Sequence, residues 1–256
     1  MQILDQLGIS RAVQALVERA ESSLSCIFSS IEKTAELNQY KVIEAFRAHN
    51  IGARHFAPTT GYGYSDEGRQ ALADVFAHIM RAQGAVLSPH IASGTHAISI
   101  ALFAVLRPGD TLISVTGKPY DTLHHVIGIG SSDKDTGSLA NFGVEYRQAE
   151  LPESGVIDVE QVVSAIKSSR RAKALFIQRS RGYAWRRALT IQDIRDFILQ
   201  IKKLYPDIIV IVDNCYGEFC EVEEPIEAGA DLIAGSMIKN PGGGLAPTGG
   251  YIAGRA

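Results

Sequence analysis

Four places in the 256-residue chain put a reactive polar group at the end of an apolar run. Ser93-Gly94-Thr95 opens a helical pattern, and Tyr120 lies in "GKPYDT". Asp213 closes "IIVIVD", and Lys239 stands between "AGSMI" and three consecutive glycines. A Ser-Gly-Thr turn entering a helix offers free backbone N–H groups, two hydroxyls and the positive end of a helix dipole, which together suit a phosphate. The same residues also make an ordinary N-cap. A carboxylate ending an apolar strand is desolvated unless a cation faces it. That cation could be a structural Arg or Lys, or the protonated nitrogen of a heterocycle. A lysine in a pocket can lose its proton to burial and form an imine with an aldehyde, although an exposed lysine at a strand end is ordinary. Tyr120 could lie flat against an aromatic ring or simply pack. Taken in order along the chain, the phosphate turn, tyrosine, acid and lysine match what pyridoxal phosphate requires of a protein.

Those groups must be positioned by the elements that carry them. Residues 11–49 read as two polar-faced helices, and 55–69 as a Gly- and Tyr-rich loop. A helix over 66–83 is acidic at its start and basic at its end. Short apolar runs then alternate with helical patterns: "GAVLSP", a helix at 94–106, "TLISV", "GVEYRQ", a helix at 158–168, "ALFIQ", a helix at 190–204, "IIVIVD", "DLIAGSM" and "GGYIAG". Unalternating apolar runs suit strands covered on both faces, and strand–helix alternation implies a mostly parallel sheet. The expected fold class is α/β: a three-layer α/β/α domain on a seven-stranded sheet. It follows a helical N-terminal arm, with the division at 1–58 and 59–256. In such sheets ligands bind beyond the carboxyl ends of the strands. Gln178-Arg179-Ser180, Asp213-Asn214, Ser236 and Lys239 all fall there.

Composition narrows the class. The chain is 46% apolar and 21% charged with a net charge of −3, so it carries no basic footprint for nucleic acid. The basic stretch "IKSSRRAK" at 166–173 reads as a solvated helix end. Three unevenly spaced cysteines, Cys26, Cys215 and Cys220, suit a reducing compartment. The first residues lack a basic region leading into an apolar core, and the apolar runs, such as "IIVIV" at 208–212, are far too short to span a membrane. A cytoplasmic protein without signal peptide or membrane span is expected. Competing motifs fail. "GYGYSDEG" lacks dinucleotide-binding spacing, Gly117-Lys118 lacks the rest of a P-loop, "IASGTH" is not a nucleophile elbow, and no metal-binding pair occurs.

The stretches "TGYGYSDEGR", "SGTHAI", "LRPGDTLISVTGKPYDTL", "IQRSRGY", "VDNCYGEF" and "GADLIAGSMIKNPGGGLAPTGGYIAGR" cover most of residues 59–255. In that order they resemble fold-type-I pyridoxal-phosphate enzymes of the cystathionine and methionine lyase group. The particular likeness is to the methionine γ-lyase family branch of aluminium resistance proteins. The resemblance implies a pyridoxal-phosphate-dependent carbon–sulfur lyase acting on a small sulfur amino acid of the cystathionine, methionine or cysteine type. It assigns Lys239 to covalent attachment of the cofactor and to catalysis, Ser236 to its phosphate, Asp213 to its pyridine nitrogen and Tyr120 to stacking on its ring. Gly94 and Thr95 would bind phosphate, with Ser93 orienting their turn, and the glycines at 242–244 would let the backbone pass close to the site. A homodimer or homotetramer is implied, in which Tyr64 or Tyr62 reaches a neighbour's phosphate. The chain departs from the family at Ile238, where a Ser or Thr often precedes the lysine. Family members also carry a C-terminal domain whose arginine holds the substrate carboxylate. That domain is expected to be absent from a chain ending at "GGYIAGRA", and the alternative expectation is an inactive cofactor-binding or oligomerising remnant.

Overall fold

The computed structural model describes every residue except 1, 63, 65, 131–136 and 256. Its elements run α1 (Gln2–Gln6), α2 (Arg11–Ala48), α3 (Glu67–Ile79), β1 (Gly84–Ser88), α4 (Gly94–Val105), β2 (Thr111–Ser114), α5 (Asp121–Ile127), β3 (Glu145–Gln148), α6 (Val159–Ser168), β4 (Ala172–Gln178), α7 (Ile191–Leu204), β5 (Ile209–Asp213), β6 (Leu232–Ser236) and β7 (Gly250–Gly254). The seven strands form one sheet in the order β1-β7-β6-β5-β4-β2-β3, parallel except for β7, which runs antiparallel to both neighbours.

The central strands explain why their sequences do not alternate. In β4, Leu175 and Ile177 face a core built with α3, α6 and α7, while Ala174 and Phe176 face a second core built with α4 and α5. Val210 and Val212 of β5 likewise oppose Ile211, and Ile233 of β6 opposes Ala234. Each residue of such a strand meets a helix layer, so either face must be apolar. Edge strand β1 departs from this rule, with Val86 and Gly84 exposed.

Residues 11–48 form one helix rather than the two expected. No glycine or proline interrupts the segment, and the Ser22 and Ser23 hydroxyls donate to the carbonyls of Glu18 and Ala20 within the helix. Every residue from 11 to 33 is exposed except the buried Gln14. Further along, Ala45 joins the core. The buried Asn38 amide donates to the carbonyls of Phe219 and Glu221, both at 3.0 Å, and Lys41 donates to that of Val222 at 2.7 Å. The second half of α2 therefore fastens the loop that follows β5. Helix α5, in a segment to which the sequence reading gave no element, starts directly after Tyr120. No helix among the described residues is long and apolar enough to cross a membrane.

Strand register sets the site. Gln178 pairs with Asp213, Asp213 with Ala234, and Ser236 with Gly250, which also faces Ser88. The polar strand ends thus form one row, and the loop between β1 and α4 packs against Gly250 at one end of it.

Candidate active site

A cleft of about 980 Å³ opens above that row, at the upper end of the range for small-molecule sites. Ser93, Gly94, Thr95, Tyr120, Asp213, Ser236 and Lys239 all line it. Tyr64 does not join them within its own chain; it is 84% exposed, as is Tyr62 at 85%.

Helix α4 supplies one wall. The Ser93 hydroxyl caps it by accepting from His96 N at 3.1 Å, which leaves the Gly94 and Thr95 N–H groups among the orphan donors of the first turn. A Cβ on Gly94 would stand 3.0 Å from Cys215 Sγ and 3.2 Å from Ser236 Cβ. Only glycine lets the helix start come this close to the ends of β5 and β6. Ser236 is 2% exposed, and its Oγ is buried without a hydrogen-bond partner. An unsatisfied buried hydroxyl costs about 1–3 kcal/mol, and here it faces the donor-rich end of α4. The Thr95 and Thr122 hydroxyls hydrogen-bond at 2.7 Å, joining the start of α4 to that of α5.

The floor carries the acid and the lysine. Asp213 is buried and accepts from Cys215 N at 3.0 Å. Burial raises its pKa, while the charge of Lys239 pulls it back down. Lys239 Nζ lies 4.0 Å from the centre of the Tyr216 ring, a cation–π contact worth about 0.5–2 kcal/mol. Of the three glycines after Lys239, only Gly242 is closely packed, against the Met237 carbonyl; Gly243 and Gly244 have φ of +57° and +77° and open space around them. Their left-handed backbone favours glycine, and close packing is seen only at Gly242.

Tyr120 forms the opposite wall. Its N–H donates to Gln178 Oε1 at 2.7 Å, and its hydroxyl meets that of Tyr183 at 2.9 Å. That hydrogen bond is the main reason its pKa is pushed up to about 12, so the phenol keeps its proton at neutral pH.

The sequence reading missed several of these partners. Tyr216, Tyr183 and Thr122 are ordinary loop or helix residues until the fold brings them beside Lys239, Tyr120 and Thr95. Arg179, noted only as a strand-end residue, is 2% exposed. It donates to Asn214 Oδ1 and Gly217 O at 2.8 Å and to Glu221 Oε1 at 2.7 Å, with Glu224 Oε2 at 3.8 Å. This network braces the loop that carries Tyr216.

The arrangement passes a chemical test for pyridoxal phosphate. An orphaned hydroxyl and a helix N-terminus can take the phosphate, a buried carboxyl needs a facing cation, a lysine lies within the electrostatic reach of that carboxyl, and an aromatic wall can cover a ring. Among the described residues no cluster of His, Cys, Asp or Glu could hold a metal ion.

Comparison with known proteins identifies relatives over nearly the whole chain. Residues 13–256 match the family model described as methionine gamma-lyase. The YnbB protein of Bacillus subtilis, itself uncharacterised, is 44% identical over 99% of this chain and 60% of its own length. A solved carbon–sulfur lyase involved in aluminum resistance from Clostridium novyi is 46% identical with a TM-score of 0.93, over 99% of this chain and 60% of that one. A Listeria monocytogenes structure, provisionally named a cystathionine beta-lyase involved in aluminum resistance, is 48% identical with a TM-score of 0.90, over 94% and 59%. The chain therefore spans about three fifths of the length of these relatives. On a match over nearly all of its residues, together with the likeness in fold, the chain belongs to the methionine gamma-lyase family.

Proposed function

We propose that the cleft binds pyridoxal phosphate and that the protein is a carbon–sulfur lyase for a sulfur amino acid of the cystathionine, methionine or cysteine type. The observation that carries this reading is the buried, unpartnered Ser236 hydroxyl beside the glycine-bearing start of α4. When bound, the cofactor supplies an aldehyde for amine attachment and a protonated ring that takes up the charge released at the substrate α carbon.

The chain's own residues do the rest. Gly94 and Thr95 N–H groups, with the Ser236 hydroxyl, would hold the phosphate. Asp213 would favour a proton on the ring nitrogen, because a neutral partner would leave its carboxylate buried and unpaired. Tyr120, protonated at neutral pH, would cover the ring. Lys239 Nζ would provide the attachment point and, when neutral, could take the substrate α-proton as general base. The Tyr216 face stabilises the same nitrogen when it carries charge.

A homo-oligomer fits this reading. Val13, Val17, Leu24, Ile27 and Ile31 of α2 are all exposed, and their spacing of three, four or seven residues places them along one side of the helix.

Borohydride reduction with added pyridoxal phosphate, followed by peptide mass spectrometry, is expected to put the pyridoxyl adduct on Lys239. Assays with cystathionine, cysteine and methionine would then show which one releases pyruvate or 2-oxobutyrate. An adduct on Lys118, or none at all, would overturn the assignment.

A further inference from the structure

Beneath the cleft floor lies a carboxyl group that none of these steps uses. Glu218 is 1% exposed. Its Oε1 accepts a hydrogen bond from the Tyr251 hydroxyl at 2.7 Å, and its Oε2 is buried with no partner. The titratable groups facing it are Asp213 at the end of β5, Cys215, Cys220 and Glu224 from the following loop, and Tyr251 from β7. Strand β6 meets it at Gly235, which has nothing to titrate. Glu218 has no ion-pair partner among the described residues. A carboxylate in that company would be buried among other acids with one hydrogen bond, so the neutral acid is the cheaper form. Burial accordingly raises its pKa to about 7.

The residue is also mechanically central. A Cβ on Gly235 would stand 2.7 Å from Glu218 Oε1 and 2.5 Å from the Tyr251 hydroxyl. The Glu218–Tyr251 pair therefore packs directly on the backbone of β6, one residue before Ser236. The Glu218 carbonyl accepts from Asn240 Nδ2 at 2.8 Å, and the same amide donates to the Tyr216 carbonyl at 3.2 Å. Asn240 follows Lys239 in the chain, and Tyr216 holds the Lys239 ammonium. Tyr216 and Phe219 have φ of +67° and +61°, left-handed backbone that side chains such as theirs rarely adopt. Something must hold the strap 216–219 in that shape, and Glu218 is its fastened midpoint.

We propose that Glu218 is a positioning residue for Lys239: packed as a neutral acid with Tyr251 against β6, it holds the strap that aims Tyr216 and Lys239 into the cleft, and its ionisation, which puts a buried charge beside Asp213 and Glu224, loosens that packing. This deepens the proposed function, since it rests on Lys239 being the reactive amine.

The test uses the cofactor-free protein. Competitive labelling with acetic anhydride, read peptide by peptide between about pH 5 and 9, reports how accessible the Lys239 amine is without any turnover. In the wild type, labelling of Lys239 should rise more steeply than a single lysine titration as pH passes about 7, where Glu218 ionises. E218Q keeps the shape and the acceptor for Tyr251 but cannot ionise, so its profile should follow a single titration. Y251F removes a hydrogen bond that favours the carboxylate, and should move the extra step to higher pH. E218A should raise labelling at low pH by about tenfold through lost positioning, with E218Q restoring the wild-type level. Should E218A fail to fold, the comparison of E218Q with wild type still decides. Superimposable profiles for E218Q and wild type would overturn the proposal. The pyridoxyl adduct is scored separately, so a Lys239 that responds to Glu218 but takes up no cofactor would sink the proposed function and leave this inference standing.

Discussion

The floor and the rim of the cleft are built on opposite principles. On the floor, Asp213, Glu218, Glu224, Ser236 and Arg179 are all at most 5% exposed. On the rim, Tyr183 and Trp185 are 83% and 96% exposed, with Arg181 over the Trp185 ring at 5.5 Å. Both regions are rich in polar and aromatic groups, yet only the floor has removed them from water. Charge is costly there, so each group needs a named partner, and a missing partner marks a place where a ligand or a proton belongs. Rim groups are solvated and answer to water first. The lesson is that side chains of the same types carry functional information only where burial has made their pairing obligatory.

The largest difference between the two should appear on deleting a floor cation. Arg179→Met removes the nearer of the two cations facing buried Glu224, leaving only the weaker charge of Lys41, and should cost about 3–5 kcal/mol of unfolding free energy in urea titrations. A cost below about 1 kcal/mol, as expected for an exposed pair, would erase the distinction between floor and rim.

Asp213→Asn is next. It preserves shape and removes the charge that would hold the cofactor nitrogen protonated, an interaction of roughly 1.5–3 kcal/mol. On the proposed function, exchange of a substrate α-proton with deuterated water should slow by about 10–100-fold while cofactor is still bound. Unchanged exchange would make Asp213 a structural residue.

Acidity sharpens the contrast further. Burial lifts Glu218 on the floor to about 7, whereas the hydrogen bonds of the Arg187 guanidinium hold Asp193, at the start of α7, down at about 2. The signs are opposite. The stability linked to Glu218 is complete below its ordinary value of 4.5 and is lost as pH rises through about 7. The stability linked to Asp193 is present above its ordinary 3.8 and is lost as pH falls through about 2, and solvent screening keeps it small. Thermal unfolding across this range should therefore show E218Q gaining on wild type above about pH 7, and Asp193→Asn losing on wild type above about pH 4.

The smallest effect belongs to Trp185→Ala, which should change stability by no more than about 0.5 kcal/mol. A larger loss in the assembled protein than in a dilute monomer would show that a second copy covers this side chain.

Much of the scaffold was legible because its signals are local. Apolar runs bounded by turns marked all seven strands, and Ser93 marked a helix start where its hydroxyl is now seen to accept from His96 N. Helix α2 was divided in the reading although nothing in 11–48 breaks a helix, and α5 was passed over because seven residues after a loop carry too weak a period. Asn38 reads as any polar helix residue; its value comes from carbonyls 181 and 183 residues away.

What the sequence by itself determined is the set of reactive groups and the strand ends that carry them: Ser93-Gly94-Thr95, Tyr120, Asp213, Ser236 and Lys239 were all named from type and place in the chain. Only the tertiary structure decided what each one faces. It set Tyr216 under Lys239, Tyr183 against Tyr120, Arg179 among its acids, and Glu218 against Tyr251 with an empty valence beside β6. The physical reason is that strand ends are written in local hydrophobic pattern, whereas partners are chosen by register and burial. Those depend on residues scores of positions apart whose meeting leaves no local signature.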